Sequence, residues 1–430
     1  MSGRVQLRID AAVALRRFFH YERALTISCG AWVSRVRRLE TKAFLARTAW
    51  EGVMTANALR ERVFELRYPE RDLDTGVDRD VVRLFDASVN APGPLSFLAG
   101  LREVFLPALL RAYDGYLDAN DDVADGPTRR FLDLAAREKR SQIGALARLE
   151  EPPEATTQGA SYGSEWAATM AQRLDELGGA SPGKRNKGAK LESFVDPGIQ
   201  FRLPDRPARD DRYFVTTFYW PDNFDPGFPY GDGWRLRIRS AVSHLNEVWA
   251  VDTAGAILHA YADGLGWEFL HDAARWLYDE SRHMMMGSRR LDRWGFEKED
   301  VPLGSYIYEA CSDNDPIFRL GMLSYFETKN IGKKRDRATE LGRLGDSEGQ
   351  RDMDFDWADE AIHAGYGRKW MRAALAGSGR PPSEWDEVVA RCEELVRERV
   401  AMATEEEKDR TRDCAGRLLA LAEKRFGGDA

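Results

Sequence analysis

Two short segments of the chain share one pattern: Asp279-Glu280-Ser281-Arg282-His283 and Asp359-Glu360-Ala361-Ile362-His363. Residues three apart on a helix lie one turn above each other, so Glu280 with His283, and Glu360 with His363, each present a carboxylate and an imidazole from one face. Carboxylate and imidazole without thiolate suit iron or manganese better than copper or structural zinc. Two-metal carboxylate sites in four-helix bundles use a Glu-x-x-His from each of two helices and one Glu from each of the other two. Glu247 and Glu327 supply those single positions. Glu247 precedes Glu280, and Glu327 precedes Glu360, by the same 33 residues, the spacing a duplicated helix pair would give. The expected metal ligands are therefore Glu247, Glu280, His283, Glu327, Glu360 and His363, with the four carboxylates as the catalytic groups.

The faces around these residues are apolar. Val251, Ala254 and Leu258 share the face of Glu247; Leu320, Leu323 and Ile331 accompany Glu327; Trp276, Leu277 and Met284 accompany Glu280. Unpaired carboxylates there would be costly to bury, and two divalent cations would balance four of them. A metal-bound imidazole also needs an acceptor on its other ring nitrogen. Asp279 and Asp359, each directly before a ligand Glu, are placed to serve the His of the opposite helix. Asp356, one turn before Glu360, is a further candidate behind the ligands. His244, one turn before Glu247, reads as a residue behind the ligands or at the surface, with a seventh ligand as the alternative. With 71 acidic residues in the chain, Glu-x-x-His also arises by chance. Glu268-Phe269-Leu270-His271 lacks the preceding Asp and lies about 120° around the helix from Glu280, which marks it as a decoy. Tyr278, Tyr325, Trp249 and Trp276 read as core packing, with electron relay or a radical as the alternative role.

The elements that must position these groups are helices almost throughout, so the fold class is all-α. Residues 1–150 read as an N-terminal bundle of about four main helices and 151–235 as an irregular connector with one short helix near 164–177. Residues 236–380 read as the two-metal four-helix bundle, with helices about 236–263, 267–294, 315–340 and 350–376. Residues 381–430 read as two amphipathic helices. The N-terminal bundle reads as metal-free. Glu22, Glu51 and Glu138 occupy plausible helix positions, but Glu138-Lys139-Arg140-Ser141 ends in Ser where a His ligand would stand. His20 reads as an ordinary polar residue.

The bulk numbers bound the function from outside. At 430 residues, 43% hydrophobic and 31% charged, the chain is long enough for two or three domains. No segment reaches the length of apolar residues that crosses a bilayer, and the N-terminus lacks a secretory pattern, so a cytoplasmic location is expected. Cys29, Cys311, Cys392 and Cys414 are far apart and form no CxxC, which suits free thiols and excludes a Cys-paired zinc knuckle or rubredoxin-type module. A net charge of −8 argues against a nucleic-acid partner.

The segment from Glu247 through Trp370 resembles the ferritin-like superfamily of rubrerythrins, ribonucleotide reductase small subunits and bacterial multicomponent monooxygenases. Asp279 to His283, and Asp359-Glu360-Ala361-Ile362-His363-Ala364-Gly365-Tyr366-Gly367, are more closely similar to a ferritin-like family of unassigned function, distantly related to the tRNA-modifying hydroxylase. The resemblance implies a ferritin-like four-helix bundle, the same six ligands and di-iron chemistry, but no substrate. It also offers a reading of the N-terminal bundle as a degenerate ferritin-like repeat. Storage proteins of this superfamily are usually short single bundles, whereas this chain adds a second bundle and a connector that could roof a pocket. The expectation is an O2-dependent oxidoreductase with two Fe, with Mn or mixed Fe/Mn as alternatives. It would hydroxylate, desaturate or otherwise oxidise a small or carrier-bound organic substrate with an external electron donor. A homodimer is compatible with this. The alternatives are a ferroxidase-like or non-catalytic metal protein for iron handling or peroxide defence, and a helical scaffold stapled by its metals.

Overall fold

The computed structural model describes residues 6–73, 79–152, 161–181, 200–228, 231–312 and 314–427. Pro153 and the stretch 183–188, expected within the connector, lie outside the described residues. Among the described residues the chain is all-α, apart from a two-residue parallel pair of β1 (Phe214–Val215) and β2 (Pro302–Leu303). In its first half the helices are α1 (Arg8–Trp32), α2 (Leu39–Arg67), α3 (Arg79–Asp86), α4 (Pro94–Gly100), α5 (Leu106–Ala119), α6 (Gly126–Leu146) and α7 (Ser161–Glu176). Then follow α8 (Trp234–Asn246), α9 (Val248–Ala260), α10 (Gly266–Arg293), α11 (Tyr306–Ala310), α12 (Pro316–Arg343), α13 (Ser347–Gly377), α14 (Trp385–Ala401) and α15 (Glu405–Phe426).

Local chemistry sets several of these boundaries. Asp315 caps α12 by accepting from the Ile317 amide at 3.0 Å, with Pro316 at the first helical position. Asp346 caps α13 through the Gly349 amide at 2.8 Å. Thr404 and Glu407 form a reciprocal capping box on α15. The single helix expected over 236–263 is instead broken at Glu247. The Glu247 amide bonds back only three residues, to the His244 carbonyl at 3.0 Å. Beside it, the Asn246 side chain donates to the carbonyls of Val242 and Pro302, at 2.9 and 3.0 Å, and accepts from the Gly304 amide at 2.7 Å. Those bonds to a distant segment pin the chain at this turn, so the break sits at a candidate ligand.

The chain divides into two compact units. Unit 1 comprises Met1–Trp32 and Arg47–Arg202; unit 2 comprises Val33–Ala46 and Leu203–Ala430. This differs from the expected boundaries, because the connector is shared out: α7 goes with unit 1 and residues 203–228 with unit 2. A buried ion cluster joins 33–46 to the rest of unit 2. Asp252 on α9 accepts from Lys42 at 2.7 Å and from Arg209 at 2.6 Å, all three buried. Arg38 adds a 2.7 Å pair with the buried Asp210.

In unit 1, Phe18 of α1 meets Tyr113 of α5 edge-on, and below them lies a buried polar group. Glu22 accepts from the Tyr113 hydroxyl at 2.6 Å and pairs with Lys139 at 2.9 Å. Glu51 accepts from Gln142 at 2.8 Å. Ser141 is exposed, and His20 bonds the Leu73 carbonyl at 2.5 Å. Burial, aided by Glu51, raises the Glu138 carboxyl to about 7.

In unit 2, α8 and α9 pack on α10, α12 packs on α13, α9 meets α12 and α10 meets α13, closing a four-helix bundle. Glycine permits the closest approach. A Cβ on Gly287 of α10 would stand 2.2 Å from the Leu245 amide nitrogen of α8, and one on Gly367 of α13 would stand 2.7 Å from Ser324 Oγ of α12. The C-terminal helices belong to the same unit, α14 lying on α12 and α15 on α8.

Candidate metal centre

The four helices bring Glu247, Glu280, His283, Glu327, Glu360 and His363 together at one level of the bundle. Glu280, Glu327, Glu360 and His363 offer ligand atoms within 4.8 Å of one another, and so do Glu247, Glu280 and His283. A further group of that size joins His283, Asp356 and Glu360. Glu280 and Glu360 each belong to groups containing either imidazole, which places these two carboxylates between the His283 side and the His363 side. Glu247 stands on the first side and Glu327 on the second.

Each imidazole has one nitrogen toward this centre and one away from it. His283 Nδ1 lies 3.3 Å from Glu247, 3.4 Å from Asp356 and 3.6 Å from Glu280. Its Nε2 bonds Asp359 Oδ2 at 3.2 Å. His363 Nδ1 lies 3.2 Å from Glu280 and 4.0 Å from Glu327, while its Nε2 bonds Asp279 Oδ2 at 3.4 Å. Each Asp thus holds the His of the opposite Glu-x-x-His helix. The two aspartates are in turn tied to Arg275 and Arg282: Arg275 donates to Asp279 at 2.6 Å, and Arg282 contacts Asp279 and reaches Asp359 at 3.0 Å.

Several buried atoms at the centre have no hydrogen-bond partner: Nδ1 of His283 and of His363, Oε2 of Glu247 and of Glu360. A buried acceptor left unsatisfied costs about 1–3 kcal/mol, more when charged. These unpartnered polar atoms, clustered in two overlapping groups, fit the donor set of two hard-to-borderline cations once the imidazoles are deprotonated as ligands. Charge agrees. Counted with every carboxylate ionised and both imidazoles neutral, the state that metal ligands take, five carboxylates (the four Glu and Asp356) and one ammonium, Lys334, leave an excess of four negative charges that two divalent cations would balance. Lys334 is buried and donates to Glu360 at 2.6 Å, Asp356 at 2.7 Å and Glu247 at 3.2 Å.

The electrostatics reflect that crowding. Burial and the neighbouring Glu280 push the Glu360 carboxyl well up. Burial acts in the same sense on Glu280, but His283 and His363 outweigh it and bring that carboxyl down to about 2. Burial opposes charge on the imidazoles, yet Asp279 and Glu280 raise His363 to about 9, and Asp356 and Asp359 raise His283 well above its ordinary value.

Residues 230–416, which contain the whole of this site, match the family described as "Protein of unknown function (DUF455)". No curated protein and no solved structure matches the chain.

Other sequence candidates take different places. Asp356 stands within the ligand level itself, beside His283 and Lys334. His244 donates from Nε2 to Asp356 at 2.9 Å and accepts at Nδ1 from the buried Arg290 at 2.7 Å, and with Glu247 and Asp356 it forms a further group whose ligand atoms lie within 4.8 Å of one another. Glu268 and His271 lie on the first turns of α10, away from the centre, Glu268 exposed against Lys369 at 3.5 Å and His271 half-buried against Asp272 at 3.7 Å. The Trp276 indole donates to Glu280 at 3.1 Å and to Glu327 at 3.3 Å, and its ring stacks on His363. Trp249 packs on Phe326, Tyr325 on Phe326, and Arg282 covers Tyr278. Sequence reasoning missed Lys334 and Arg282. Lys334 follows Glu327 by two helical turns, a spacing that returns it to the same face of α12.

Proposed function

We propose that unit 2 is a non-haem di-iron oxidoreductase of the ferritin-like kind, activating O2 to oxidise an organic substrate, with Mn or mixed Fe/Mn as the alternative metals. The observation that carries this reading is the crossed pairing of the two Asp-Glu-x-x-His segments. Each imidazole is anchored on one nitrogen by the opposite Asp, and its other nitrogen faces carboxylates set between two donor groups. In this reading the six residues would hold two metals, with Glu247 and His283 on one side, Glu327 and His363 on the other, and Glu280 and Glu360 between the two sides. When bound, two such ions supply Lewis acidity and the electrons that activate O2. The protein's own residues do the rest. Asp279 and Asp359 fix the ring orientation and raise imidazole basicity. Trp276 orients Glu280 and Glu327, and Lys334 holds Glu247, Asp356 and Glu360 in place. An external electron donor and a cytoplasmic setting complete the proposal; the four free cysteines are all buried, and no helix among the described residues is long and apolar enough to cross a membrane. Unit 1 is then a degenerate copy, its Glu22 answered by Lys139 rather than by a metal.

The test is elemental analysis of the purified protein, followed by the absorption spectrum of the ferrous form on exposure to O2. Two metals per chain and oxidation coupled to an organic substrate are expected. A well-loaded sample with one metal or none rules out the di-metal reading; uptake and oxidation of iron alone, without substrate turnover, would favour an iron-handling protein instead.

A further inference from the structure

The two Asp-Glu-x-x-His segments agree at Asp, Glu and His but differ one turn earlier. Four residues before Glu280 on α10 stands Trp276; four before Glu360 on α13 stands Asp356. Both are buried at the ligand level. Trp276 lays its ring on His363 and donates to Glu280 and Glu327, so this turn covers the His363 side with a group that has no lone pair for a cation. Asp356 takes the corresponding place beside His283. The other two helices differ as well: seven residues after Glu327 stands Lys334, and seven after Glu247 stands Ala254. Lys334 donates to Asp356 at 2.7 Å, so the added carboxylate and the added ammonium meet.

Asp356 approaches its imidazole from the opposite direction to Asp279 and Asp359, which hold the Nε2 atoms. Its Oδ1 lies 3.4 Å from His283 Nδ1, the nitrogen that faces Glu247 and Glu280. That nitrogen has no hydrogen-bond partner, although the ring is fully buried. In the neutral form that a ligand takes, His283 gives its Nε2 hydrogen to Asp359 and turns a bare Nδ1 on Asp356. Acceptor then faces acceptor, and a shared cation reconciles them. Glu360, whose Oε2 also lacks a partner, completes a trio with ligand atoms within 4.8 Å of one another. Asp356 is braced as ligating carboxylates are. Lys334 holds Oδ1, His244 holds Oδ2 at 2.9 Å, and Arg290 holds His244 at 2.7 Å. A carboxylate offers about four lone pairs, so two such bonds leave it room for a metal.

We propose that Asp356 is a seventh metal ligand, on the His283 side, with Lys334 as its countercharge. This rests on the di-metal reading above and makes its two positions unequal. The His283 side draws on Glu247, His283 and Asp356 besides the two carboxylates between the sides; the His363 side has one donor fewer and lies under the Trp276 ring. Because Lys334 balances the added carboxylate, the seventh ligand leaves unchanged the charge that two divalent cations would meet.

Loading the chelator-stripped chain with Co(II) tests this, with cobalt content measured on every sample. A thiolate bound to Co(II) gives strong sulfur-to-metal charge-transfer absorption in the near ultraviolet, which carboxylate and imidazole ligands do not. That band is expected in Asp356→Cys. It is not expected in the wild-type chain, nor in Asp352→Cys, one turn earlier on the same face of α13, where Asp352 pairs with Arg289 at 3.0 Å. Asp356→Asn should weaken one of the two ions by at least about tenfold relative to the other; two ions held as in the wild-type chain would overturn the proposal. Asp356→Cys protein that carries two cobalt ions without the band also overturns it, and Asp356 then serves only to hold Lys334 and His244. If Asp356→Cys folds poorly or takes up no cobalt, anomalous diffraction from the cobalt-loaded wild-type chain decides. An Asp356 oxygen in the shell of the ion at His283 supports the proposal, and a shell without it overturns it. A wild-type chain that takes up one ion or none removes the di-metal reading and this inference together.

Discussion

At each imidazole the two ring nitrogens face different chemistry, and the difference is set by a carboxylate on another helix. Asp359 holds His283 at 3.2 Å and Asp279 holds His363 at 3.4 Å. Replacing either Asp by Asn keeps an acceptor of nearly the same shape but removes the charge that raises imidazole basicity. Asp279→Asn and Asp359→Asn are therefore expected to fold and retain metal, with affinity or O2 reactivity lowered by about 10- to 100-fold. Competition with a chelating indicator and stopped-flow oxidation of the ferrous protein measure this. Asp292→Asn is the control, exposed near the far end of the same helix. If both variants matched it, Asp279 and Asp359 would be no more than partners for Arg275 and Arg282. The candidate ligands were legible at this scale because helix geometry alone aligns residues three apart, and equal spacing in two segments is rare by chance. Arg282 was not legible: its place between two aspartates depends on α10 and α13 meeting, which no local pattern records.

The helices position the centre through contacts that tolerate little change. Gly287 lets α8 and α10 approach until a Cβ would stand 2.2 Å from Leu245 N and 2.4 Å from the Ala241 carbonyl oxygen, both backbone atoms that cannot rotate aside. Those helices carry His244 and Glu280, and Glu247 lies at the α8–α9 break. Gly287→Ala is expected to cost about 1–3 kcal/mol by overpacking and to weaken metal binding, as Glu247 is levered from Glu280 and His283. Gly365 on α13 has nothing within 4 Å of the corresponding position. Gly365→Ala should therefore stabilise the chain by about 0.5–1 kcal/mol, the usual gain on replacing a helical glycine. Urea titrations of both variants with parallel metal determination decide; a neutral Gly287→Ala would mean that the helices need not pack so closely. Most helix spans followed from apolar periodicity, since that periodicity is what packing requires. The break at Glu247 did not, because Asn246 makes it by bonding residues 302 and 304, far along the chain. For the same reason the place of 33–46 in unit 2 was hidden, since Asp252 receives Lys42 and Arg209 from segments far from it along the chain.

Across the molecule, buried carboxylates are neutralised in two ways, and this difference can be measured. In unit 1 Glu22 is answered inside the fold by Lys139 at 2.9 Å, with both groups buried. At the centre of unit 2 the single charge of Lys334 is shared by three of five carboxylates, and the proposed metals would answer the remaining charge. Removing one partner of a buried ion pair costs about 3–5 kcal/mol. Lys139→Met should show a loss of that order that is the same, within about 0.5 kcal/mol, in metal-loaded and chelator-treated protein, because its effect and the metal's concern separate groups. Lys334→Met should behave otherwise. With metals bound, Glu247, Asp356 and Glu360 retain cations nearby and the loss is moderate. With metals stripped, only the imidazoles of His283 and His363 are left to answer the five carboxylates, and the loss grows by more than about 1 kcal/mol, a coupling typical of groups sharing one network. Urea midpoints for the two variants and the wild-type chain, each with and without chelator, complete both cycles. A Lys139→Met loss that changes with chelation would place a metal in unit 1. A Lys334→Met loss indifferent to chelation would detach that lysine from the charge balance of the metal centre.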